Sequence, residues 1–503
     1  SFTTSIMAIT QANIDPTSQT LLQLSSLIQK TISSYISHRQ STIVSSTTED
    51  GLGIPSRPLF DAQRTLLAAA GKLTELVSSP QTRLIEVANQ YFEARALHVV
   101  ADKRIPDILA KREKGVSVTE LSQEVGIEAR KLSRLLRCLC SIHIFNEIEE
   151  DVFANNDISR ALVGNEPLRA YIMLFGLDLY TASDHLPRYL SDPEKGPSYA
   201  VEVTPWQDAV NTDKPRWDWL EEKAKAGDLK ALCENGTNGA TSSYPGSFGN
   251  TLQEGLTSVA ASGKTNGEAA NTLVARPEHA IFGLAMLGGG RVYGKAHLFD
   301  FPWGELGDAT IVDVGGGVGS FSMELSRLYP NLNFVVQDRA PVLQQAETEV
   351  WPKEHPKALQ SGKVKFWPHN MFEPNPVKGA DVYWLRYIMH DWSDDYCVQI
   401  LSAIKPAMGP HSRILICDQV MNTTFGSAEI EPAPAPLPAN WGYYTRYSHQ
   451  RDLAMLSIIN GIERKPAEFK DIIERAGLKL RKIWDCRSQV GLVEVVLPDS
   501  QLA

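Results

Sequence analysis

Three features are scarce in this sequence, and each scarcity excludes a class of protein. The six cysteines show no CxxC or other paired metal-ligand spacing, so we expect free thiols in a reducing compartment and no metal site. No run of about eighteen apolar residues occurs, so no membrane span is expected. The start of the chain lacks the charged-then-apolar pattern of a secretion signal, so we expect a cytoplasmic protein.

Positive charge is also scarce. Lys and Arg number 49 against 59 Asp and Glu, which gives a net charge of −10. Proteins whose main partner is nucleic acid carry a basic footprint, so nucleic acid is not an expected partner. The 43% hydrophobic and 21% charged residues are those of a globular protein.

The composition changes along the 503 residues and predicts several segments. Residues 1–80 predict a helical, partly disordered extension, and residues 81–224 predict a helical domain. Residues 225–273 are rich in Gly, Ala, Ser, Thr and Asn. We expect a disordered insertion there, because such a segment buries too little apolar surface to fold. Residues 276–500 predict an α/β domain.

Residues 104–163 predict a winged helix. A helix opens at Val118, a second helix covers Ala129 to Leu139, and a β-hairpin follows around Glu149 and Glu150. Basic residues on the second helix are compatible with DNA binding. The other interpretation is a packing or dimerisation module, and the acidic charge of the chain favours it.

Residues 311–338 predict a strand, a glycine turn, a helix, a second strand and an acid. The turn is Gly315-Gly316-Gly317-Val318-Gly319, and the acid is Asp338. Glycines let the backbone approach a ligand closely, and an acid at this position can accept the ribose hydroxyls of an adenosine. A dinucleotide fingerprint would need glycine at Ser320. The spacing therefore favours S-adenosylmethionine, which has no pyrophosphate, over a tight turn in some other α/β protein.

Strands and helices alternate beyond Asp338, as a parallel sheet requires. The last apolar segment, Val490 to Leu497, predicts an antiparallel strand at the edge of the sheet. The predicted fold is therefore a Rossmann-like α/β domain with a mostly parallel sheet, preceded by a helical, winged-helix domain.

Three side chains are candidates for proton transfer. His390 lies shortly after the predicted strand that ends at Leu385, and ligands of open α/β sheets bind just beyond such strand ends. Asp418 ends another strand, and Glu463 precedes a helix. A carboxylate that accepts the second N–H of a histidine fixes its tautomer and raises its basicity. Each residue also has a purely structural interpretation, as a residue that caps or begins a helix.

Five motifs occur in an order that resembles the plant and fungal small-molecule O-methyltransferases of the caffeate and flavonoid type. They are VDVGGGVGS, VVQDR, HNMF, LRYIMHDWSDD and GIERKPAEF. The resemblance covers residues 82–224 and 276–497. It implies S-adenosylmethionine as methyl donor, S-adenosylhomocysteine as product, no metal, and a homodimer formed through the winged-helix domain.

The resemblance also implies roles for individual residues. His390 would deprotonate the acceptor, flanked by Asp418 and Glu463. The cofactor contacts would be Gly315, Gly316, Gly317, Asp338, Asn370, Met371 and Arg386. The chain departs from the family pattern at three of these positions, since Asp418 replaces the usual Glu, Asn370 the usual Asp, and Arg386 a frequent Lys.

The expected activity is transfer of a methyl group to a phenolic hydroxyl of an aromatic, polyketide-type secondary metabolite. The alternative is a non-methylating enzyme, a dehydratase or pericyclase, that uses the sulfonium only as an electrostatic aid. The presence of both His390 and Glu463 favours methyl transfer.

Overall fold

The computed structural model describes residues 14–45, 54–227, 271–293 and 295–502. The chain forms two compact units. The sheet unit consists of residues 1–78, 293–455 and 461–503, and the winged-helix unit consists of residues 79–292 and 456–460. The predicted disordered insertion falls mainly on residues 228–270, which lie outside the described residues.

Two helices precede the winged-helix unit and belong to the sheet unit. They are α1 (Pro16–Ser45) and α2 (Arg57–Val77), which we call the N-terminal hairpin. Helix α2 begins where Ser56 caps the amide of Leu59, with a proline in its first turn. The two helices pack against residues 433–444 through a small apolar cluster: Leu24, Ala68, Ala69, Ala433 and Leu437.

The winged-helix unit begins with three helices and the predicted helix–turn–helix–hairpin order. These elements are α3 (Pro80–Asn89), α4 (Tyr91–Asp102), α5 (Ile105–Ala110), β1 (Val116–Ser117), α6 (Val118–Val125), α7 (Ala129–Ser141), β2 (Phe145–Glu149) and β3 (Val152–Asn155). The strands form a three-stranded antiparallel sheet in the order β1-β3-β2. Ser117 and Glu120 form a capping box at the start of α6, and Gly126 ends that helix at φ +72°. The predicted winged helix is confirmed.

The rest of this unit is largely helical. It contains α8 (Asp157–Arg160), α9 (Glu166–Leu174), a π-helical turn (Phe175–Leu179), α10 (Tyr180–Ser191), α11 (Pro205–Val210), α12 (Arg216–Glu221), β4 (Lys223–Lys225), β5 (Leu273–Ala275) and α13 (Pro277–Tyr293). Strands β4 and β5 pair antiparallel. They bring together the two ends of the segment that contains residues 228–270.

The sheet unit holds a seven-stranded sheet. Its strands are β6 (Thr310–Val314), β7 (Asn333–Asp338), β8 (Val364–Pro368), β9 (Val382–Arg386), β10 (Arg413–Asp418), β11 (Lys479–Asp485) and β12 (Gly491–Val496). Its helices are α14 (Ser320–Leu328), α15 (Ala340–Gln345), α16 (Trp351–Glu354), α17 (Pro356–Gln360), α18 (Asp394–Ile404), α19 (Arg446–Ile459) and α20 (Pro466–Arg475). A π-helical turn covers Ala346–Val350, and short 3₁₀ turns cover Ala296–Leu298, Trp303–Leu306, Met389–Asp391, Lys405–Ala407 and Gly442–Thr445.

The strand order is β11-β12-β10-β9-β6-β7-β8. Five neighbouring strands, β10, β9, β6, β7 and β8, run parallel to one another. Strand β12 is antiparallel to both of its neighbours. The Rossmann-like fold class is therefore confirmed. The prediction of an edge position for the last strand is wrong, because β12 is internal and β11 forms the edge.

The burial of these two strands explains the correction. Every residue of β12 is buried, as a strand covered on both faces requires, and its buried Glu494 pairs with Arg413 and Arg481. Strand β11 carries exposed residues along its length, which is typical of an edge. An apolar run at the end of the chain does not reveal which side of it will be paired.

Apolar side chains cover both faces of the sheet. Trp303, Phe321 and Trp384 belong to the core of one face, and Tyr383 and Ile400 belong to the core of the other. This doubly covered sheet leaves its ligand edge at the carboxyl ends of the parallel strands. Within the described residues, no helix is long and apolar enough to cross a membrane.

Candidate active site

The glycine turn follows strand β6 and needs glycine for two reasons. Gly315, Gly317 and Gly319 have φ values of +67°, +58° and +79°, in the left-handed region that side chains disfavour. A Cβ on Gly315 would also lie 2.8 Å from Cδ1 of Ile388. The backbone of this turn is therefore bare at the carboxyl edge of the sheet, where a ligand can approach it.

Asp338 closes the glycine turn from the neighbouring strand. Its Oδ2 accepts the amide of Gly317 at 2.8 Å, and its Oδ1 accepts the amide of Arg339 at 2.7 Å. The carbonyl of Asp338 accepts the amide of His369 at 3.1 Å, which brings the segment after β8 to the same edge. The structure thus brings the predicted Asp338 and the predicted glycines together.

Asp313 is a buried acid beneath the turn that the predicted cofactor set does not include. Burial raises its pKa to about 6, although a hydrogen bond from Ser322 Oγ at 2.6 Å opposes the shift. A Cβ on Gly316 would lie 2.6 Å from the carboxyl carbon of Asp313. Its place just before the glycines, in the VDVGGG motif, is the sequence signal that identifies it.

Asn370 and Met371 follow strand β8. The side-chain oxygen of Asn370 accepts the amide of Phe372 at 3.2 Å, and Met371 packs against the core of the sheet. Arg386 ends strand β9, and its guanidinium lies 5.1 Å from the ring centre of Tyr387. Within the described residues, the buried Nε of Arg386 has no hydrogen-bond partner.

His390 sits in the 3₁₀ turn that follows β9, and it is almost fully buried. Its Nδ1 lies 2.9 Å from Oε1 of Glu463, and its Nε2 lies 3.3 Å from Oδ1 of Asp391. The carbonyl of His390 accepts the amide of Ile462 at 2.9 Å. Two predicted residues, His390 and Glu463, are therefore in direct contact although 73 positions separate them.

Charge outweighs burial in setting the protonation of this histidine. Burial lowers the pKa of His390, but the charges of Glu463, Asp391 and Asp418 and the hydrogen bond to Glu463 raise it to about 9. Burial raises the pKa of Glu463, but His390 and Arg451 outweigh that effect and lower it. Arg451 Nε lies 3.3 Å from the same Oε1 that contacts His390.

Asp418 contributes to the site differently from Glu463. It ends strand β10 with 1% of its surface exposed, and burial raises its pKa to about 7. Neither of its carboxyl oxygens has a hydrogen-bond partner in the described parts of the chain. Asp418 therefore acts on His390 through charge, without the contact that Glu463 makes.

Arg464 joins the two segments that carry His390 and Glu463, and it is absent from the predicted site residues. Its guanidinium donates to the carbonyls of Met389 and Trp392 at 2.7 and 2.8 Å, and to Asp394 Oδ1 at 2.7 Å. The only sequence signal is its position beside Glu463 in the GIERK motif. Its burial and its three partners need the fold.

A cavity of about 680 Å³ opens beside Glu463, inside the sheet unit. Residues 421–424 and 440–449 supply most of its wall, together with Asp452, Ile462, Glu463, Lys465 and Glu468. A second cavity of about 330 Å³ adjoins it. The two share Met421, Asn422, Asn440 and His449. The wall residues from 421–424 and 440–449 belong to no motif, so the sequence does not predict them.

The fold and the site define an α/β enzyme. A glycine turn lies at the ligand edge of its sheet, and the same unit contains a buried pair of a histidine and a carboxylate. Residues 285–479 match the O-methyltransferase domain, and residues 85–165 match the O-methyltransferase dimerisation domain. O-methyltransferase tpcA of Aspergillus fumigatus is 57% identical over 447 residues, which cover 89% of each chain. O-methyltransferase gedA of Aspergillus terreus is 56% identical over 454 residues, which cover 90% of each chain.

The chain therefore belongs to this O-methyltransferase family and is an S-adenosylmethionine-dependent O-methyltransferase. This membership confirms the predicted family and enzyme class. It also sets aside the non-methylating alternative, because relatives that share more than half of their residues with this chain are O-methyltransferases.

Solved structures share the fold at low identity. LepI in complex with S-adenosylmethionine is 20% identical with a TM-score of 0.59, covering 95% of this chain and 99% of its own. The methyltransferase CalO1, bound to S-adenosylhomocysteine, is 24% identical with a TM-score of 0.55, covering 83% and 98%. A structure described as a pericyclic reaction enzyme is 20% identical with a TM-score of 0.60, covering 95% and 99%. The likeness shows the architecture alone.

Proposed function

We propose that this O-methyltransferase methylates a phenolic hydroxyl of an aromatic, polyketide-type secondary metabolite, with His390 as general base. The observation that carries the proposal is the contact between His390 Nδ1 and Glu463 Oε1 at 2.9 Å. With Nδ1 engaged by a carboxylate, the neutral histidine carries its lone pair on Nε2, the nitrogen that can take a proton from an acceptor.

The acceptor needs such a base because a phenol has a pKa near 10 and is a poor nucleophile at neutral pH. S-adenosylmethionine, when bound, supplies an electrophilic methyl group. His390 takes the phenolic proton at Nε2, and Glu463 stabilises the imidazolium that results. Arg451 keeps Glu463 ionised while that charge forms.

The same proposal assigns the cofactor contacts. The backbone of Gly315, Gly316 and Gly317 would face the cofactor, because glycine leaves no side chain between the turn and the ligand edge of the sheet. Asp338 would exchange its bonds to backbone amides for the ribose hydroxyls. Asn370 and Met371 would hold the adenine. Arg386, whose Nε is buried without a partner in the described chain, would hold the carboxylate.

The acceptor would occupy the cavity of about 680 Å³ beside Glu463. Ligand sites for small molecules range from roughly 300 to 1,000 Å³, so the cavity has room for a polycyclic phenol. Residues that line it, such as Asn440 and His449, would contact the acceptor directly.

A homodimer completes the proposal. Leu84, Ile85, Val87, Tyr91 and Phe92 are all exposed, and they form a concentrated apolar surface on α3 and α4. An exposed apolar patch of this kind marks an interface, and the dimerisation domain match begins at residue 85. Light scattering should give twice the chain mass, and Ile85→Asp should give a monomer. A monomeric wild-type protein would refute this assignment.

The free cysteines of the described chain support a cytoplasmic location.

Product mass tests the reaction. The purified protein is mixed with S-adenosylmethionine and a panel of phenols with one, two and three fused rings, and S-adenosylhomocysteine is quantified. We expect a methylated product matched by S-adenosylhomocysteine, and a loss of about 10²–10⁴-fold in rate for His390→Ala. A loss below about tenfold in that variant would remove His390 from the role of base.

A further inference from the structure

The N-terminal hairpin has no part in the chemistry described above. Its helices, Pro16–Ser45 and Arg57–Val77, lie before the two matched family regions, which begin at residue 85. It nevertheless packs on the segment 433–444, which runs into the wall of the acceptor cavity. This position indicates a role in shaping that wall.

One close contact joins Gly71 of α2 to Tyr443. A Cβ on Gly71 would lie 2.1 Å from Cβ of Tyr443 and 2.7 Å from its Cγ. No side chain fits there unless Tyr443 moves. Tyr443 lines the cavity, and the guanidinium of Arg446, which also lines it, lies 4.4 Å from the ring centre of Tyr443. The backbone of α2 is therefore in direct contact with a wall residue of the cavity.

A second set of contacts fixes the neighbouring residues of the wall. Arg64 of α2 lies 3.9 Å over the ring of Trp441, and its Nη2 pairs with Asp485 at 3.1 Å. Phe60 of α2 meets Tyr444 edge to face, with ring centres 6.1 Å apart. Trp441 and Tyr444 line the smaller adjoining cavity, as does Arg64 itself. The hairpin thus ties the wall to the end of strand β11.

We infer that the N-terminal hairpin is a specificity-determining element that holds the 440–446 wall of the acceptor cavity in one conformation. The inference rests on the proposed function only in that the cavity takes the acceptor. A wall formed by a short 3₁₀ turn between a long loop and a helix has little regular structure of its own. Without the hairpin it would sample several shapes, and an acceptor would be positioned less accurately. Gly71 and Arg64 are positioning residues, since they act through Tyr443 and Trp441.

Two variants test the inference. Gly71→Ala places a methyl group where Tyr443 stands, and Arg64→Ala removes the contact over Trp441 and the pair with Asp485. Ala70→Ser and Gln63→Ala are matched controls, because both are exposed positions of the same helix. Affinities are measured by calorimetry in the full chain, for S-adenosylhomocysteine and for the tightest-binding phenol of the ring-size panel, with S-adenosylhomocysteine present.

We expect the phenol to bind roughly two- to thirtyfold more weakly to Gly71→Ala and Arg64→Ala, the range for residues that act on a ligand without touching it. The affinity for S-adenosylhomocysteine should stay within about twofold of wild type in both. The differences in affinity among one-, two- and three-ring phenols should also become smaller in these two variants. The control variants should match wild type. If Gly71→Ala fails to fold, Arg64→Ala decides, because it removes contacts without inserting an atom.

A third variant separates this inference from the assignment of the cavity. His449→Trp fills part of the cavity directly. If it leaves phenol binding unchanged, the cavity does not hold the acceptor and the inference falls with that assignment. If it weakens phenol binding while Gly71→Ala and Arg64→Ala bind the phenol as wild type does, the hairpin has no role in specificity. Binding measurements of this kind do not depend on whether His390 is the base.

Discussion

Replacing Glu463 by Gln should lower the pH at which this enzyme becomes active. His390 must be neutral to act as a base, and its pKa of about 9 lies well above the ordinary 6.5. Activity should therefore rise with pH, with a midpoint near pH 9, and level off only about one pH unit above that midpoint. At pH 7 about one molecule in a hundred carries the neutral histidine. In the remaining molecules His390 is protonated and cannot act as a base.

The magnitude of the change follows from the contacts of His390. Glu463 raises its pKa both by charge and by the hydrogen bond at 2.9 Å, whereas burial lowers it. Gln keeps an oxygen that can accept the Nδ1 hydrogen but removes the charge. It also removes the negative charge that lies 3.3 Å from Arg451 Nε, so the positive charge of Arg451 acts on His390 more strongly. The midpoint should fall by at least about one pH unit, which corresponds to 1.4 kcal/mol.

The assay is kcat/KM for a phenol of the panel between pH 6 and 10, which reports the free enzyme. Both proteins are measured with the same phenol, so the ionisation of the acceptor cancels in the comparison. Glu468→Gln is the matched control, because Glu468 lines the same cavity and makes no hydrogen bond to His390 in the described contacts. The maximal rate of Glu463→Gln should also fall, since a weaker base removes the proton less well. An unchanged midpoint in Glu463→Gln would refute the coupling of these two residues.

Three further predictions concern the surroundings of the pair. Gly315→Ala should weaken S-adenosylhomocysteine binding more than about tenfold by calorimetry, because its Cβ would press on Ile388. Gly362→Ala is the control, since it has a similar positive φ and nothing within 4 Å; equal effects would contradict the argument. Arg464→Ala should cost about 2–6 kcal/mol in a denaturant titration, because it leaves two carbonyls without their donor at about 1–3 kcal/mol each; a loss below about 1 kcal/mol would contradict it. Asp418→Asn should raise the melting temperature by about 2–4 °C at pH 8 and less at pH 5. The reason is that a carboxyl whose folded pKa is raised to about 7 destabilises the fold as pH rises from 4 to 7; a pH-independent gain would count against this.

Much of the fold could be predicted because its local signals agree. The glycine turn, the helix after it and Asp338 appear in the structure in the predicted order. They could be predicted because positive φ values favour glycine and buried strands require apolar residues, and both are visible in the sequence. The position of strand β12 could not be predicted. Its apolar residues fit an edge or a central strand, and only pairing with β10 and β11 decides between them.

The residues of the site also divide into those that the sequence predicts and those that only the folded structure reveals. His390 and Glu463 were found because each belongs to a motif, but neither motif contains the other residue. Arg451 and Arg464 escaped prediction because a basic residue on a helix or in a loop is ordinary in any sequence. Their meaning comes from the carboxylate that Arg451 approaches and from the burial and carbonyl partners of Arg464, and these are properties of the folded chain.

The two predicted acids near His390, Glu463 and Asp418, are therefore not equivalent. Glu463 reaches Nδ1 and fixes which nitrogen carries the lone pair, a task that needs contact and hence the length of its side chain. Asp418 shares no hydrogen bond with the histidine among the described contacts, and it titrates near neutral pH. Its charge on His390 thus changes around pH 7, below the midpoint that His390 sets, whereas that of Glu463 does not, because the pKa of Glu463 is lowered. The orientation of the histidine consequently depends on Glu463, whereas its basicity depends on Glu463, Asp391 and Asp418 together.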